Sequence, residues 1–433
     1  MQKQSDQIIF TGAHVIVGDG VTSLDDATIV VREGIIVEVT DSRVLDVPSE
    51  ALHVDLRGKT VMPTIINPHG HIGYLRGSVA SSENYSRANV IDHLHRLAYY
   101  GVSAFQSLGT DRGDTEITLR DEQRSGSLGD QDVATLFSAG NGLVAPTSGC
   151  TNGGAFFAPD SMTEISTVED AREAVRVLSK KHPDAIKFWV DDRGGTKEKL
   201  SPDLYGAIIS EAHELGHVAI AHIFELNDAK GVVRAGVDGI AHMVREPGPD
   251  DELIELLVQG DVFVFTSMSI QNGLLEASWL DAPFVAETVS EEAISAMRDQ
   301  ISSVSPEMRS RLAASYGVLE DGLRRCLAGG VRLILSGDTG VLTQFFGIAE
   351  HRELAAMVHA GMPPHRAIQA ATRDAAALLG LSDRGTVQGG RRADLLILDD
   401  DPLLDIENTR RISAVYLGGR AVNRAGIRSA LLN

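Results

Sequence analysis

The sequence predicts an α/β fold with a parallel sheet, and a smaller β-rich unit drawn from both chain ends. In the middle of the chain, apolar runs of strand length alternate with stretches of helical length. Strands that alternate with helices form βαβ units, and these build parallel sheets. Predicted strands of this region lie at residues 61–71, 185–190, 217–222, 237–242 and 331–338, and predicted helices at 89–99, 202–215 and 227–235.

Both chain ends instead read as short strands separated by turn residues. The strand-like segments are residues 8–11, 13–17, 27–32, 35–40, 393–399, 412–417 and 420–423. We expect a β-sandwich built from residues 1–60 and 381–433, and a catalytic domain at 61–380. A length of 433 residues agrees with two domains. The glycine- and serine-rich stretch 138–154 is predicted to be a loop without regular structure on the active face.

Two histidines, His69 and His71, end the first strand of the middle region. Alternate side chains of a strand point to the same face, so both imidazoles reach toward one point. Two imidazoles on one rigid element are typical of a metal site. A second such pair, His93 and His95, falls in a predicted helix, where residues two apart diverge by about 200°. We expect that pair to lie on an ordinary helix surface.

Further polar residues stand in or at the ends of the later strands: Lys187, His222, His242 and Asp338. In a closed (β/α)₈ barrel, the carboxyl ends of the strands converge on the face that carries the active site. Any one of these residues alone would more often be structural than functional. Together with His69 and His71, they predict a metal site.

With these residues the chain resembles the amidohydrolase superfamily, which are metal-dependent hydrolases built on a distorted (β/α)₈ TIM barrel. Segments 371–381 and 385–398 are similar to its imidazolonepropionase-like and Xaa-Pro dipeptidase-like members. The resemblance implies two divalent metal ions, with Zn²⁺ preferred and Mn²⁺ or Co²⁺ as alternatives. The metal ligands that it implies are His69, His71, Lys187, His222, His242 and Asp338. One departure is Asn67, where many members carry aspartate.

The ligand types suit such ions, with one exception. Neutral imidazoles and carboxylates bind borderline divalent cations, whereas a lysine ammonium has no lone pair. The resemblance implies that Lys187 is carboxylated on its amine and bridges both metals. Burial favours this, because desolvation lowers the pKa of a lysine. His69, His71 and Asp338 would hold the more buried ion, and His222 and His242 the more exposed one.

The predicted function is hydrolysis of an amide-type C–N bond in a dipeptide, N-acyl amino acid, urea or carbamate. A metal-bridged hydroxide would attack the carbonyl, and Asp338 would act in catalysis by passing a proton to the leaving nitrogen. We expect Tyr74, Trp189 and Arg245 to contact the small-molecule substrate, because they are near the ligands in sequence.

Alternatives within the superfamily are a mononuclear deaminase and a hydrolase of lactones or organophosphate esters. A deaminase is suggested by His222 and Glu225, which match an HxxE pattern, although such enzymes generally lack the bridging lysine. An alternative of another class is a barrel without catalysis that keeps the residues as structural metal ligands, but such proteins usually lose ligands. Residues 213–217 match the HExxH pattern of zincins, which we reject because Gly216 is expected to end the helix between the two histidines.

Composition excludes several other classes. A formal net charge of −21 argues against binding nucleic acid or an anionic membrane. The two cysteines show no paired spacing. No apolar run of about 18 residues suggests a membrane span, and the first residues lack the pattern of a secretory signal. We therefore expect a cytoplasmic enzyme, and a homo-oligomer.

Overall fold

The computed structural model describes residues 7–41, 51–129, 132–147, 154 and 156–432. In chain order its strands are β1 (Gln7–Ile16), β2 (Ser23–Arg32), β3 (Ile35–Asp41), β4 (Leu52–Asp55), β5 (Thr60–Pro63), β6 (Ile65–Gly70), β7 (Leu75–Arg76), β8 (Val79–Ala80), β9 (Val102–Ser107), β10 (Thr135–Ser138), β11 (Gly142–Val144), β12 (Met162–Glu164), β13 (Ile186–Val190), β14 (Ala219–Ile223), β15 (Gly239–Ala241), β16 (Phe263–Phe265), β17 (Arg332–Ile334), β18 (Leu395–Leu398), β19 (Ile412–Leu417) and β20 (Arg420–Ala421). Its helices are α1 (Arg87–Tyr99), α2 (Thr115–Ser125), α3 (Val168–Ser179), α4 (Pro202–Glu214), α5 (Leu226–Arg234), α6 (Asp251–Gln259), α7 (Ser269–Asn272), α8 (Glu291–Ser302), α9 (Pro306–Gly329), α10 (Ile348–His359), α11 (Pro364–Ala371), α12 (Arg373–Leu378) and α13 (Arg424–Leu432).

Strands from both chain ends form one eight-stranded sheet. Its order is β20-β19-β18-β5-β1-β2-β3, with β4 beside β1. Strand β1 is antiparallel to β2 and parallel to β4 and β5, and β18 is antiparallel to β5 and β19. Apolar side chains from the two ends share one buried cluster, which includes Phe10, Ile29, Val61, Leu395 and Ile397.

The segment 61–71, predicted as one strand, is two strands in different sheets, and that prediction was wrong. Strand β5 belongs to the eight-stranded sheet, whereas β6 pairs with β9. Thr64 lies between them: its N–H donates to the carbonyl of Asp394 over 3.2 Å, and its hydroxyl donates to Ser103 Oγ over 2.7 Å. The apolar run is continuous, so hydrophobic periodicity alone gives no sign of the change of sheet.

The middle of the chain contains two parallel sheets, one with the order β10-β9-β6 and one with the order β12-β11-β13-β14-β15-β16-β17. Backbone contacts link them, among them a parallel bridge between Gly70 and Thr339 and a hydrogen bond of 2.9 Å from Asp184 N–H to the Ser138 carbonyl. Strands of both sheets contribute to one buried apolar cluster, which includes Ile66, Ala104, Phe137, Ile220, Ala241, Phe265 and Ile334. The prediction of an α/β fold with parallel strands is confirmed.

The helices follow the predicted pattern closely. Those predicted at 89–99, 202–215 and 227–235 are α1, α4 and α5, with ends that differ by at most two residues. Helix α3 begins with a capping box, in which Thr167 and Asp170 bond each other's backbone N–H groups. Along the described ranges, no helix combines the length and the apolar character needed to cross a membrane.

Part of the stretch 138–154 is regular, so the prediction of an irregular loop was wrong there. Strand β11 pairs with β12 over three residues and with β13 at Leu143. Gly142 is needed for packing: a Cβ on it would lie 2.0 Å from Trp189 Cζ3 and 2.7 Å from the Gly109 carbonyl oxygen. Gly142, which suggests a loop in the sequence, thus allows the Trp189 ring and the Gly109 carbonyl to lie close to the backbone inside a sheet. Residues 148–153 of this stretch lie outside the described residues.

We predict that Gly142→Ala lowers the free energy of unfolding by about 1–3 kcal/mol, because an added methyl group has no room against the Trp189 ring. Urea titration of both proteins measures the change. The matched control is Gly206→Ala in α4, where a Cβ meets nothing within 4 Å. That change should stabilise the protein by up to about 1 kcal/mol. Equal stability of Gly142→Ala and the wild type would contradict the packing argument.

Candidate metal centre and its cavity

His69 and His71 flank Gly70 at the carboxyl end of β6. His69 Nδ1 lies 2.8 Å from Ser336 Oγ, and His71 Nδ1 lies 3.2 Å from Thr110 Oγ1. Each hydroxyl occupies one ring nitrogen and leaves Nε2 to face the site. A Cβ on Gly70 would lie 2.7 Å from the Thr339 carbonyl oxygen and 2.5 Å from Phe105 Cζ. Only glycine fits between the two histidines.

Asp338 lies opposite these histidines. Its Oδ1 is 3.5 Å from His69 Nε2 and 3.4 Å from His71 Nε2, and its Oδ2 is 3.9 Å from His242 Nε2. Asp338 and His242 have φ values of 45° and 74°. Residues other than glycine rarely adopt such backbone angles, and those that do cluster at functional sites. Ligand atoms of His69, His242 and Asp338 all lie within 4.8 Å of one another and form a group that can hold a metal ion.

Lys187 is fully buried in β13, and its Nζ has no hydrogen-bond partner among the described residues. Burial lowers the pKa of its amine to about 7, although the nearby Asp338 carboxylate opposes the shift. Gly109 makes room for the side chain, because a Cβ there would lie 2.8 Å from Lys187 Cγ. The Lys187 ammonium lies 5.1 Å from the centroid of the Trp189 ring.

His222 has a partner that the sequence analysis missed. Its Nε2 lies 3.1 Å from Asp191 Oδ2, and its ring centroid lies 4.9 Å from that of His242. Burial raises the pKa of the Asp191 carboxyl, but the hydrogen bond and charge of His222 outweigh burial and lower it. Asp191 directly follows β13, and a carboxylate at the end of an apolar strand is the signal that could have found it.

Burial also shifts the pKa values of the histidines in the site. It is the largest cause that lowers the pKa of His69, His71 and His242, those of His69 and His242 to well below the usual value. The Asp338 carboxylate opposes this for His69 and His71. The fold thus holds these rings in the neutral form, which is the form that binds a metal. For Asp338 burial alone would raise the pKa. The adjacent histidines and Lys187 outweigh burial and lower the pKa, which favours the ionised carboxylate.

The donor set fits a divalent cation. Four buried polar atoms in the site have no hydrogen-bond partner within the described part of the chain: His69 Nε2, Lys187 Nζ, His242 Nδ1 and Asp338 Oδ1. An unpaired buried polar atom costs about 1–3 kcal/mol, and such atoms are uncommon in native proteins. Imidazole nitrogens and carboxylate oxygens that converge without partners are the donors that a metal ion satisfies.

All six predicted ligands line one cavity of about 290 Å³. Trp189 and Arg245, two of the three expected substrate contacts, line it as well, as do Arg193 and the side chain of Gln271. Gln271 Oε1 is buried without a partner in the described ranges. The cavity therefore joins the candidate metal ligands to a mixed polar and apolar wall.

Tyr74 does not line this cavity, and the expectation that it contacts substrate is corrected. The side chain is fully buried, and its hydroxyl donates to the Thr110 carbonyl over 2.8 Å. Its ring centroid lies 5.0 Å from that of Phe157, whose own centroid lies 4.8 Å from that of His71. Tyr74 is therefore a core residue behind the site, one layer away from the ligands.

Glu350 in α10 was missed, yet it connects two ligand-bearing segments. Its Oε1 accepts hydrogen bonds from Asn67 Nδ2 over 2.7 Å and from Thr339 Oγ1 over 2.8 Å. Asn67 Oδ1 in turn accepts the backbone N–H of His69 over 3.1 Å, and Thr339 follows Asp338. Because residue 67 is asparagine rather than aspartate, its side-chain amide can donate this hydrogen bond to Glu350. Helix α10 is buried from Ile348 to Met357 in the structure, and no local pattern of the sequence indicates this burial.

The other histidine patterns have structural partners. His93 is buried, contrary to the expected helix surface: its Nδ1 accepts Gly73 N–H over 3.0 Å and its Nε2 lies 2.7 Å from the Leu75 carbonyl. In the HExxH segment, His213 bonds Asp238 and His217 bonds Ser179. These two rings therefore have different partners and share no site.

Comparison with known proteins agrees with the fold of parallel strands. Residues 60–422 match the Amidohydrolase family, and the chain belongs to this family. The predictions of family and of a hydrolase acting on carbon–nitrogen bonds are thereby confirmed. Imidazolonepropionase of Deinococcus deserti is 25% identical over 418 residues, which cover 94% of this chain and 93% of that protein.

Two solved structures have the same fold. A putative prolidase from Bifidobacterium longum superposes with a TM-score of 0.78 at 27% identity, over 99% of this chain and 98% of its own. A Xaa-Pro dipeptidase with bound methionine in its active site gives a TM-score of 0.77 at 23% identity, over 96% of this chain and 99% of its own.

The environment of Glu350 leads to a prediction on pH dependence. Burial raises the pKa of this carboxyl above 4.5 in the folded protein. Between the unfolded and the folded pKa, the folded state binds a proton that the unfolded state has lost, so stability falls as pH rises through that window. In Glu350→Gln the Oε1 acceptor remains but the titration is removed.

We predict that the free energy of unfolding of Glu350→Gln, relative to wild type, increases from pH 4.5 to pH 8. Urea titrations of both proteins across this range measure the difference. Glu307→Gln, at the exposed start of α9, is the control and should follow the wild type. A difference between Glu350→Gln and wild type that is independent of pH would show that burial does not shift the Glu350 pKa.

Proposed function

We propose that this protein is a metal-dependent amidohydrolase that cleaves an amide-type C–N bond, in the class of dipeptides, N-acyl amino acids, ureas and carbamates. The observation that carries the proposal is the convergence of six metal-binding side chains on one cavity, four of them with a buried polar atom that lacks a partner in the described ranges.

The proposal includes the architecture. The two parallel sheets, linked by backbone contacts at both junctions and sharing one apolar cluster, support a single closed (β/α)₈ barrel. The eight-stranded sheet supports a β-sandwich domain from residues 1–60 and 381–433. Family membership supports the barrel in the same way, since the superposed structures share this fold.

Two divalent ions, with Zn²⁺ preferred, would be held by His69, His71 and Asp338 on one side and by His222 and His242 on the other, with Lys187 between them. When bound, such ions supply positive charge that polarises a substrate carbonyl and lowers the pKa of water. Asp338, ionised and facing the histidines, is placed to take a proton from the attacking water and to pass it to the leaving nitrogen.

The hydroxyls behind the histidines orient the rings. The Ser336 hydroxyl forms a hydrogen bond with His69 Nδ1, and the Thr110 hydroxyl forms one with His71 Nδ1. Both Nε2 atoms are therefore directed to the cavity. Ser336 is itself held by Ser267, whose hydroxyl lies 2.8 Å away. These contacts hold the orientation of each ring without assistance from the substrate.

Lys187 is proposed to be carboxylated. Its neutral amine adds to CO₂, a N–C bond forms, and one proton leaves, which gives an anionic carbamate with two oxygens. The low pKa of the buried amine favours the neutral form that this step requires. A carbamate also removes the cost of an unpaired ammonium in a cavity lined by four histidines.

A mononuclear, deaminase-type site is the second candidate, because one observation favours it. Only His69, His242 and Asp338 form a compact ligand group among the described residues, and His222 Nε2 is bonded to Asp191. Against it, Glu225 does not line the cavity and its carboxylate lies 3.4 Å from Lys199 Nζ. The number of bound ions separates the two candidates.

The first prediction of the proposal concerns metal and activity. Metal-reconstituted protein should contain about two divalent ions per chain and hydrolyse at least one class in a panel of dipeptides, N-acyl amino acids, ureas, carbamates, lactones and organophosphates. His69→Ala should lose metal and nearly all turnover but keep its unfolding midpoint in chelator. His365→Ala, on the exposed face of α11, is the control and should match the wild type.

Elemental analysis and kcat/KM across the panel decide the outcome. No more than one ion per chain in metal-replete protein would favour the mononuclear candidate. Turnover of lactones or organophosphates with none of any amide would contradict the proposed bond type.

The second prediction concerns Lys187. Lys187→Ala should lower metal content and turnover by at least about tenfold, since a bridging ligand is lost. A short carboxylic acid in bicarbonate-free buffer should restore part of both, because its two oxygens imitate the carbamate. Lys187→Arg should fail as badly as alanine, because a guanidinium keeps its charge and forms no carbamate.

Intact mass and elemental analysis measure these changes, with Lys180→Ala at an exposed position after α3 as the control. An arginine variant with full metal content would identify Lys187 as a structural cation. An unmodified lysine in fully active, two-metal protein would refute the carbamate.

A further inference from the structure

The cavity has a charge that differs from the charge of the chain. The chain carries a formal net charge of −21. The described wall of the cavity nevertheless contains three basic side chains, Lys187, Arg193 and Arg245, and one carboxylate, that of Asp338. Without Lys187, which the proposed function makes a carbamate, the two guanidinium groups remain, and they favour an anionic ligand.

Two of these basic residues already have assigned partners or roles. Arg193 forms an ion pair with Asp191, whose Oδ2 lies 3.3 Å from Arg193 Nε. Lys187 belongs to the proposed metal centre. Arg245 differs from both, because it forms no ion pair within 4.0 Å with any described residue, and its buried Nε has no hydrogen-bond partner among them.

The backbone holds Arg245 in place. Its N–H donates to the Phe224 carbonyl over 3.2 Å, and the next residue, Glu246, forms a parallel bridge with Glu225. The guanidinium carbon lies 5.4 Å from the centroid of the Phe224 ring. A position over the Phe224 ring occupies no N–H donor of the guanidinium, so these donors remain available to a ligand. Burial lowers the pKa of Arg245 to about 10, so the group remains charged at neutral pH.

Apolar side chains form another part of the wall: Ile270, Leu274, Leu312, Val341 and Leu342. A ligand of this cavity therefore meets an unpaired cationic donor and an aliphatic surface at the same time. Arginine is suited to bind a carboxylate with two parallel hydrogen bonds.

We propose that Arg245 binds a free carboxylate of the substrate, which makes the substrate an N-acyl amino acid or dipeptide with an aliphatic side chain rather than a neutral urea, carbamate or ester. The proposal rests on the proposed function for the cleaved bond, but the binding of the carboxylate is separable from cleavage. Arg245 is a specificity-determining residue in this account, and it takes no part in the proton transfer.

The test uses a pair of probes that amidohydrolases cannot cleave: N-methanesulfonyl-leucine and its carboxamide. Both keep the isobutyl group and the N–H, and only the first carries a carboxylate. Calorimetry on metal-reconstituted full-length protein measures the dissociation constant of each probe for wild type, Arg245→Gln, Arg245→Lys and Arg332→Gln. Arg332 lies at the opposite end of β17 from Asp338, pairs with Asp261 and serves as the control.

Wild type and Arg332→Gln should bind the acid at least about 10-fold more tightly than the carboxamide, as expected for a charge-assisted hydrogen bond. Arg245→Gln should remove this preference by weakening the acid alone, and Arg245→Lys should retain part of it. Unfolding midpoints of the variants show whether each is folded, and the lysine variant keeps the test decisive if glutamine is not tolerated.

Equal binding of the two probes by wild type, or no binding of either, would overturn the proposal. A preference for the acid that survives in Arg245→Gln would also overturn it, and would assign the carboxylate to the metal centre. If the preference follows Arg245 while no amide in the substrate panel is hydrolysed, the carboxylate site stands and the proposed function falls.

Discussion

The buried carboxylate of Asp338 is the interaction around which the site is arranged. It faces His69, His71 and His242 within 3.9 Å, and its charge acts on Lys187. Removing an ion from water is expensive unless partners replace the solvent. Neutral imidazoles at 3.4 Å or more replace it incompletely, so a cation in the same site would stabilise the ionised form of Asp338.

The support of this carboxylate comes from α10, a helix with an unusual buried charge pattern. Glu350 holds Asn67 and Thr339, and Glu353 accepts the backbone N–H groups of Met268 and Ser269 at the start of α7. These hydrogen bonds add directional positioning to the apolar packing of α10 and fix the segments on either side of the candidate ligands.

Arg352 extends the same support to the cavity wall. It donates to the Thr343 and Ser269 carbonyls and stacks 4.0 Å above the Trp279 ring. The segments around Ser269 and Thr343 lead directly to Ile270 and Leu342, which line the cavity. One turn of α10 thus connects the ligand-bearing strands to the surface that would contact substrate.

The sequence was sufficient to predict the class of fold and the six side chains that line the cavity. Strand ends of a parallel sheet converge, so His222 and His242 could be placed together from their spacing alone. The supporting residues could not be predicted in the same way. Asp191 could have been found as a carboxylate at the end of an apolar strand. Ser336 and Glu350 act through contacts with partners that are distant in sequence, and no local periodicity indicates them.

The errors have a similar origin. Tyr74 is three residues from His71, but the chain turns inward after the strand and its hydroxyl bonds Thr110. Gly142 suggests a loop by composition, whereas the Trp189 ring is what requires a glycine. In both cases a packing partner that is distant in sequence decides the structure, and local preference is overridden.

The chain as a whole is negatively charged, whereas two arginines line the cavity. This contrast determines where the protein could attract the proposed anionic substrate. Exposed charges are screened beyond about 8–10 Å at physiological ionic strength, so the net charge of −21 acts weakly at long range and gives no attraction. Selectivity for an anion must then arise inside the cavity, where low dielectric strengthens each contact. A cation such as Arg245, held by a backbone hydrogen bond to Phe224 and placed over the Phe224 ring, would provide this selectivity with little reorganisation when the proposed substrate binds.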